Sequence, residues 1–303
     1  MPTKEAVDDA CVVTVRDRSV VILGHSRDDQ QLSLIDITKT GNNAASALDL
    51  KRPWNPAKKG GTSAVAPMMQ PSMFASGGYD HGVHLWTIND DLSSATPQAT
   101  TIKHNSQIQS LLAIRDTSHK LVSAGADCSV HIWDLSSERV VNTLKTSNSV
   151  YHVHSTTSLS PFCSLLEVAH REQQFEVRDH RYVPTIPVQR FGYTTLQVHG
   201  RFIKGKSALL FAYKRSYATG SSLSNYFASG DRVGYVRLWD LRNVEKPCAE
   251  VRTFFRLTNQ FINGIQVECF DGLKISHLVF QSSRLLACAE NNQIRLVKYD
   301  QSI

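Results

Sequence analysis

His104, Ser123 and Asp127 are residue types that together can make a nucleophile: an imidazole to take a hydroxyl proton and a carboxylate to orient the imidazole. That chemistry also needs an oxyanion site and a substrate pocket, and no separate motif for either is visible. His152 and His154 alternate along a strand-like run and so share one face, where two imidazoles could meet a metal. No third ligand stands at a recognisable spacing, and His170, His180 and His199 are too scattered to nominate. No metal is therefore expected. Lys51–Gly61, KRPWNPAKKGG, sets four basic residues around Trp54. Such a stretch can grip phosphate and stack on a base, or can simply be a solvated loop with the indole folded back. Lys204, Lys206, Lys214 and Arg215 form a second basic stretch, leading into Tyr217–Asn225, which reads as an inserted loop.

The elements that must position these residues recur. Phe74–Ile88 reads FASGGYDHGVHLWTI, Leu121–Leu135 reads LVSAGADCSVHIWDL, and Phe227–Leu241 reads FASGDRVGYVRLWDL. Ser76, Asp80 and Trp86 hold the same mutual offsets as Ser123, Asp127 and Trp133, and Ser229 and Trp239 keep the spacing in the third copy. Each copy is an apolar run ending in small residues, a turn, and an alternating strand ending in Trp, which is the pattern of a hairpin. Period-two alternation puts Val83 and Leu85 on one face and His84 and Trp86 on the other. Eroded copies place Ile35, Arg178 and Val297 at the Trp position, making six units. Further strand candidates lie between them at Ala99–His104, Ile108–Ile114, Val140–Lys145, Val150–His154, Ala208–Tyr213 and Ala249–Phe255. Repetition at intervals of this size indicates a repeat architecture.

These units resemble those of the WD-repeat family, whose repeats commonly close on Trp-Asp, as at Trp133-Asp134 and Trp239-Asp240. The likeness spans nearly the whole chain, strongest in the second, third and fifth units. It implies an all-β fold, a β-propeller of four-stranded antiparallel blades: six by the units recognised, seven if the ring is irregular or the chain is a fragment. It implies a non-enzymatic scaffold for contacts with other proteins, without a cofactor. It also implies that Asp127, His104, Ser123 and the Trp133 indole hydrogen-bond in series, a structural tetrad that braces the blade, with no catalytic residue. Ser76, Asp80 and Trp86 are then a partial tetrad without a matching His, and Ser229 and Trp239 another, with Val233 where the Asp belongs. The sixth unit has Ala287 and Asn291 at the Ser and Asp positions. Those blades should lean on apolar packing, and the third should be the most rigid. The expected partner-binding residues are Trp54, Lys58, Lys59, His81 and Arg232, all in loops. Arg242 completes a Trp-Asp-x-Arg ending that in some family members docks on the adaptor of a cullin-type ubiquitin ligase, although the fuller pattern wants an Asp at Val233. A chromatin or nucleic-acid association through the basic loops is the remaining reading.

Bulk properties agree with one domain over residues 1–303, since the repeats run from end to end. An apolar fraction of 41% excludes a disordered class, and no apolar run approaches the roughly 20 residues of a membrane helix. PTKEAVDD at the start has no secretory pattern, and the six cysteines form no CxxC pair. Reduced thiols in the cytoplasm or nucleus are the expectation. A net charge of +6 permits an acidic partner, whether nucleic acid or an acidic protein face. Ring closure is the difficulty. The sixth unit lacks an outer strand, and the N-terminal candidate for it, Ala10–Arg16, is also needed by the first unit. The count is one strand short, so the ring is either irregular or incomplete on its N-terminal side.

Overall fold

Alternating apolar residues make each repeat a two-faced sheet that must bury both faces, and the chain does so by packing sheet against sheet. The structure, a computed structural model, describes residues 7–38, 47–53, 57–114, 119–156, 160–181, 186–194, 218–220, 226–230, 235–247, 249–252, 260–262, 265–267, 275–281, 284–289 and 294–299. Trp54, Arg232, Val233, Asn291, His199, the basic stretch at 204–215 and the 217–225 loop tip fall outside them, apart from the strand at 218–220, as does the strand candidate at 208–213.

Six sheets are present among the described residues. The first comprises β1 (Val7–Val15), β2 (Arg18–His25), β3 (Leu32–Asp36) and β4 (Ala47–Leu50). The second holds β5 (Thr62–Pro67), β6 (Met73–Gly78), β7 (Gly82–Ile88) and β8 (Ala95–Lys103). The third holds β9 (Ile108–Ile114), β10 (Lys120–Gly125), β11 (Ser129–Asp134) and β12 (Arg139–Lys145). The fourth runs through β13 (Val150–Ser155), β14 (Cys163–Val168), β15 (Phe175–Asp179) and β16 (Gln189–Phe191). The fifth runs through β17 (Ala218–Gly220), β18 (Tyr226–Gly230), β19 (Tyr235–Asp240) and β20 (Ala249–Arg252). Each is an antiparallel meander in chain order, the blade of a β-propeller. First strands pack in series: β1 on β5, β5 on β9, β9 on β13, β13 on β17.

The sixth sheet departs from that plan and answers the strand count. It contains β21 (Gln260–Ile262), β22 (Ile265–Val267), β23 (Ile275–Gln281), β24 (Arg284–Ala289) and β25 (Ile294–Tyr299), in the order β21-β22-β25-β24-β23. The missing neighbour of β25 is β22, paired at Ile265 with Tyr299 and at Gln266 with Lys298. It arrives from just upstream in the same repeat, not from the N-terminus, and β1 stays in its own sheet against β2. Ile262 pairs with Ile265 across Asn263-Gly264, a dipeptide that favours tight hairpins and could have disclosed this pair of strands. The irregularity among the described strands thus lies in the last sheet, where β22, from the same segment, takes the place beside β25.

The core lies between successive sheets. Val13, Val15, Val20, Ile22, Leu32 and Leu34 of the first meet Val65, Phe74, Trp86 and Ile88 of the second. Val83 and Leu85 turn the other way and join Ile108, Leu111, Leu121 and Trp133. Trp239 does the same one step on, packing with Phe175, Phe191 and Phe227. Alternation thus sends Trp86, Trp133 and Trp239 toward the preceding sheet, and the aliphatic neighbours on β7 and β11 toward the next. Trp86, Trp133 and Trp239 are each at most 2% exposed.

Candidate functional site

His104 follows the last strand of the second sheet and lies over the β10–β11 turn of the third. Its Nδ1 is 3.0 Å from Asp127 Oδ1 and its Nε2 3.0 Å from Ser123 Oγ. A carboxylate accepts only, so Nδ1 carries the proton and Nε2 accepts from the serine hydroxyl. Asp127 also accepts from the backbone N–H groups of Asn105 and Ser129. Burial raises the Asp127 carboxyl, but those N–H groups and His104 together hold it below the usual carboxylate range. Burial pulls His104 below its ordinary value, with Asp127 only partly opposing it. The geometry matches a relay, yet Ser123 is 0% exposed and its hydroxyl faces protein on every side. A nucleophile needs an approach path, and this one has none.

The series ends differently from expectation. Trp133 Nε1 donates to Thr101 Oγ1 at 3.0 Å, not to Ser123. The indole faces the preceding sheet, whose last strand carries Thr101. In the second sheet the indole does meet the serine: Trp86 Nε1 donates to Ser76 Oγ at 2.8 Å.

The second sheet also holds the member that the repeat frame left out. Arg52, 1% exposed, enters where His104 enters the third sheet, just after the last strand of the sheet before. Its Nε donates to Ser76 Oγ at 3.2 Å and its Nη1 lies 3.0 Å from Asp80 Oδ1. Backbone oxygens of Gly61 and Gly82 and Nδ1 of His84 take its remaining N–H groups at 2.9–3.2 Å. Burial lowers the Arg52 pKa against the pull of Asp80, but a guanidinium stays charged. Burial and Arg52 push His84 down to about 4, so it is the neutral acceptor. Gly78 and Gly125, each two residues after the serine, explain the fit: a Cβ would overlap the Arg52 guanidinium in one and the His104 imidazole in the other. The sequence carries the signal, a cation just beyond a sheet's last strand, within a KRPWNPAKKGG run that equally fits a surface loop.

Other sheets improvise. In the first, His25 Nε2 lies 3.1 Å from Ser33 Oγ, which donates to Asp49. In the fourth, Arg178 stands in the Trp position and donates to Glu176 Oε2, while Arg190 donates to Oε1, with Arg178 and Glu176 each 1% exposed. Sequence reasoning missed Glu176, which stands two residues before Arg178 as His84 and His131 stand before Trp86 and Trp133, and Arg190, which lies in the sheet's last strand. In the fifth, Ser229 and Trp239 are buried, and Ser229 Oγ and Trp239 Nε1 have no hydrogen-bond partner among the described residues.

His152 and His154 do share a face, with ring centroids 4.5 Å apart. His152 Nδ1 is 3.2 Å from Ser110 Oγ and His154 Nε2 3.3 Å from Glu167. Burial, then His154, pushes His152 down to about 3. The described residues contain no group of three or more His, Cys, Asp or Glu suited to a metal.

Of the loop residues nominated for partner contact, Lys58, Lys59 and His81 gather at one end of the second sheet. Lys58 Nζ donates to the Asp80 carbonyl at 3.3 Å, and Lys59 Nζ lies 4.3 Å from the centre of the Tyr79 ring. His81 sits in the β6–β7 turn with φ of 73°, a left-handed conformation that sets the direction of its side chain. Burial, then Lys58, lowers its pKa. Arg242 is elsewhere and is engaged: its Nε and Nη2 fork onto Asp240 at 2.6–3.1 Å.

The family model described as "WD domain, G-beta repeat" matches residues 95–134. That window runs from β8 through β11 and contains His104, Ser123, Asp127 and Trp133, so the sequence repeat is offset by one strand from the sheet. Among solved structures, the computationally designed Ika8 protein is similar with a TM-score of 0.60 at 12% identity, covering 98% of this chain and 72% of that one. At that identity the likeness concerns the fold alone. No curated protein matches the chain. Residues 95–134 thus match one WD repeat, and the six successive antiparallel sheets among the described residues have the form of propeller blades.

Proposed function

We propose that this protein is a non-enzymatic scaffold that binds other proteins through the loop ends of its sheets. The observation that carries the reading is the inward closure of the Ser-His-Asp set. Ser123, His104 and Asp127 consume one another's hydrogen-bonding capacity and tie the β8–β9 connection to the β10–β11 turn. Arg52 does the same one sheet earlier. Loops fixed in this way present a surface at low entropic cost, which is what a partner-binding face requires. The match to the WD-repeat family supports the same class.

The test is cross-linked affinity purification of the tagged protein from its own cells, beside a variant with Ala57–Lys59 replaced by Gly-Ser-Gly. Partners recovered with the parent and lost with the variant are the expected result. A hydrolytic activity that disappears in a folded Ser123→Ala variant would overturn the reading. The proposal includes residence in the cytoplasm or nucleus, in keeping with the free thiols of Cys11, Cys128 and Cys163; imaging of the tagged protein at the cell exterior would contradict it.

A further inference from the structure

Resting on that reading, a narrower one follows from where the charges stand. Lys58, Lys103 and Lys145 are exposed at the same end of the second and third sheets, around His81. Their proximity is visible in the bonding. Lys58 holds the Asp80 carbonyl next to His81. Lys103 pairs in register with Gly82, and the following N–H, of His104, donates to the His81 carbonyl. Lys145 Nζ donates to Ser129 Oγ, and the Ser129 N–H in turn donates to Asp127.

In the second and third sheets the carboxylates at this end point inward, and Asp8 of the first is occupied. Asp80 is bound to Arg52, Asp127 to His104 and Asn105, and Asp8 accepts the Tyr79 hydroxyl. The braces thus withdraw negative charge from the surface and leave lysines on it. The opposite end is different: Arg16 pairs with Asp90, and Arg181 with Asp179. One end of the neighbouring sheets is left with a cluster of outward lysines, while ion pairs form at the other.

We propose that the Lys58–His81–Lys103–Lys145 end of the second and third sheets is a docking surface for an acidic segment of a partner protein. The cations are lysines, point charges that suit scattered carboxylates, and lack the guanidinium fork that grips a phosphate in two bonds. Tyr79, the aromatic ring beside them, already has Lys59 over its ring and its hydroxyl tied to Asp8, an engagement that base stacking would have to displace. Both features favour a peptide over a nucleic acid.

The test uses fluorescence anisotropy with three labelled probes: an oligo-glutamate peptide, a Gly-Ser peptide of equal length and an oligothymidylate. The parent protein should bind oligo-glutamate, more weakly as salt rises, and should not bind the neutral peptide. Lys58→Glu with Lys145→Glu should weaken binding by roughly tenfold or more, while Arg139→Glu at the opposite end leaves it unchanged. Thermal unfolding of each variant should match that of the parent, showing that the exposed substitutions leave the fold intact. Tighter binding of the oligothymidylate, an equal loss from Arg139→Glu, or no binding of oligo-glutamate would each overturn the proposal. If the parent still recovers protein partners in the purification above, only this inference fails; if it recovers none, the scaffold reading itself fails.

Discussion

Arg52 and His104 occupy equivalent places in consecutive sheets and differ in how their charge answers pH. Arg52 is fixed positive against Asp80, so Arg52→Ala leaves a buried carboxylate alone and should destabilise by about 3–5 kcal/mol, read from denaturant midpoints. A loss under about 1 kcal/mol would show that the guanidinium is dispensable. His104 titrates instead. Its folded pKa lies below the ordinary histidine value, and His84 and His131 are pushed to about 4 and His152 to about 3, burial being the largest cause in each. Protonation therefore favours the unfolded chain. The stability these histidines contribute is complete above about pH 6.5 and is lost as pH falls toward the folded values, by about 1.4 kcal/mol per pH unit for each fully engaged site. Asp127, with its lowered pKa, adds a separate loss at more acidic pH, below the ordinary carboxylate range. Denaturant midpoints at about pH 7.5 and 5 should differ clearly, and His131→Asn should reduce the difference. A flat profile across that window would contradict the burial of these neutral imidazoles.

At the scale of the element, the turn between the second and third strands is where the sequence is least free. Gly78 and Gly125 leave room for a side chain arriving from the preceding sheet, and each substitution to Ala should lower stability by about 1–3 kcal/mol through overpacking. Gly82 is the internal control: a Cβ there meets Asp80 Oδ2 at an ordinary 3.5 Å, so Gly82→Ala should be close to neutral. Equal losses at all three would point to backbone flexibility rather than the brace. The strands were largely legible from alternation. Ile108–Ile114 was read to the residue, and Val140–Lys145 and Val150–His154 each missed one terminal position. Arg52 was not legible as part of a brace, because a cation in a Pro- and Gly-containing loop looks the same whether it turns outward or inward. Only packing distinguishes the two.

The whole molecule turns on its last sheet. β25 lies between β24 and β22, so its amides have neighbours on both sides, whereas β4, β8, β12 and β16 are sheet edges. Hydrogen exchange should find β25 as protected as β24 and slower than those edge strands. Fast, edge-like exchange in β25 would show that the β21–β22 hairpin does not complete the sheet. β1 pairs only within the first sheet and β25 only within the last, so loosening β1 should leave β25 protection unchanged.

The spacing of Ser76, Asp80 and Trp86, repeated at Ser123, Asp127 and Trp133, determined the repeat, the hairpin frame and the direction in which each Trp faces. Those follow from period-two alternation and turn chemistry, which are local properties of the chain. The tertiary structure decided what depends on residues distant in sequence. It set Arg52 on Asp80 across 28 positions, gave the Trp133 N–H to Thr101, and chose β22 over β1 as the neighbour of β25. Each of these is a choice among partners of similar chemistry, and it is made by which groups the packed sheets bring within hydrogen-bond reach.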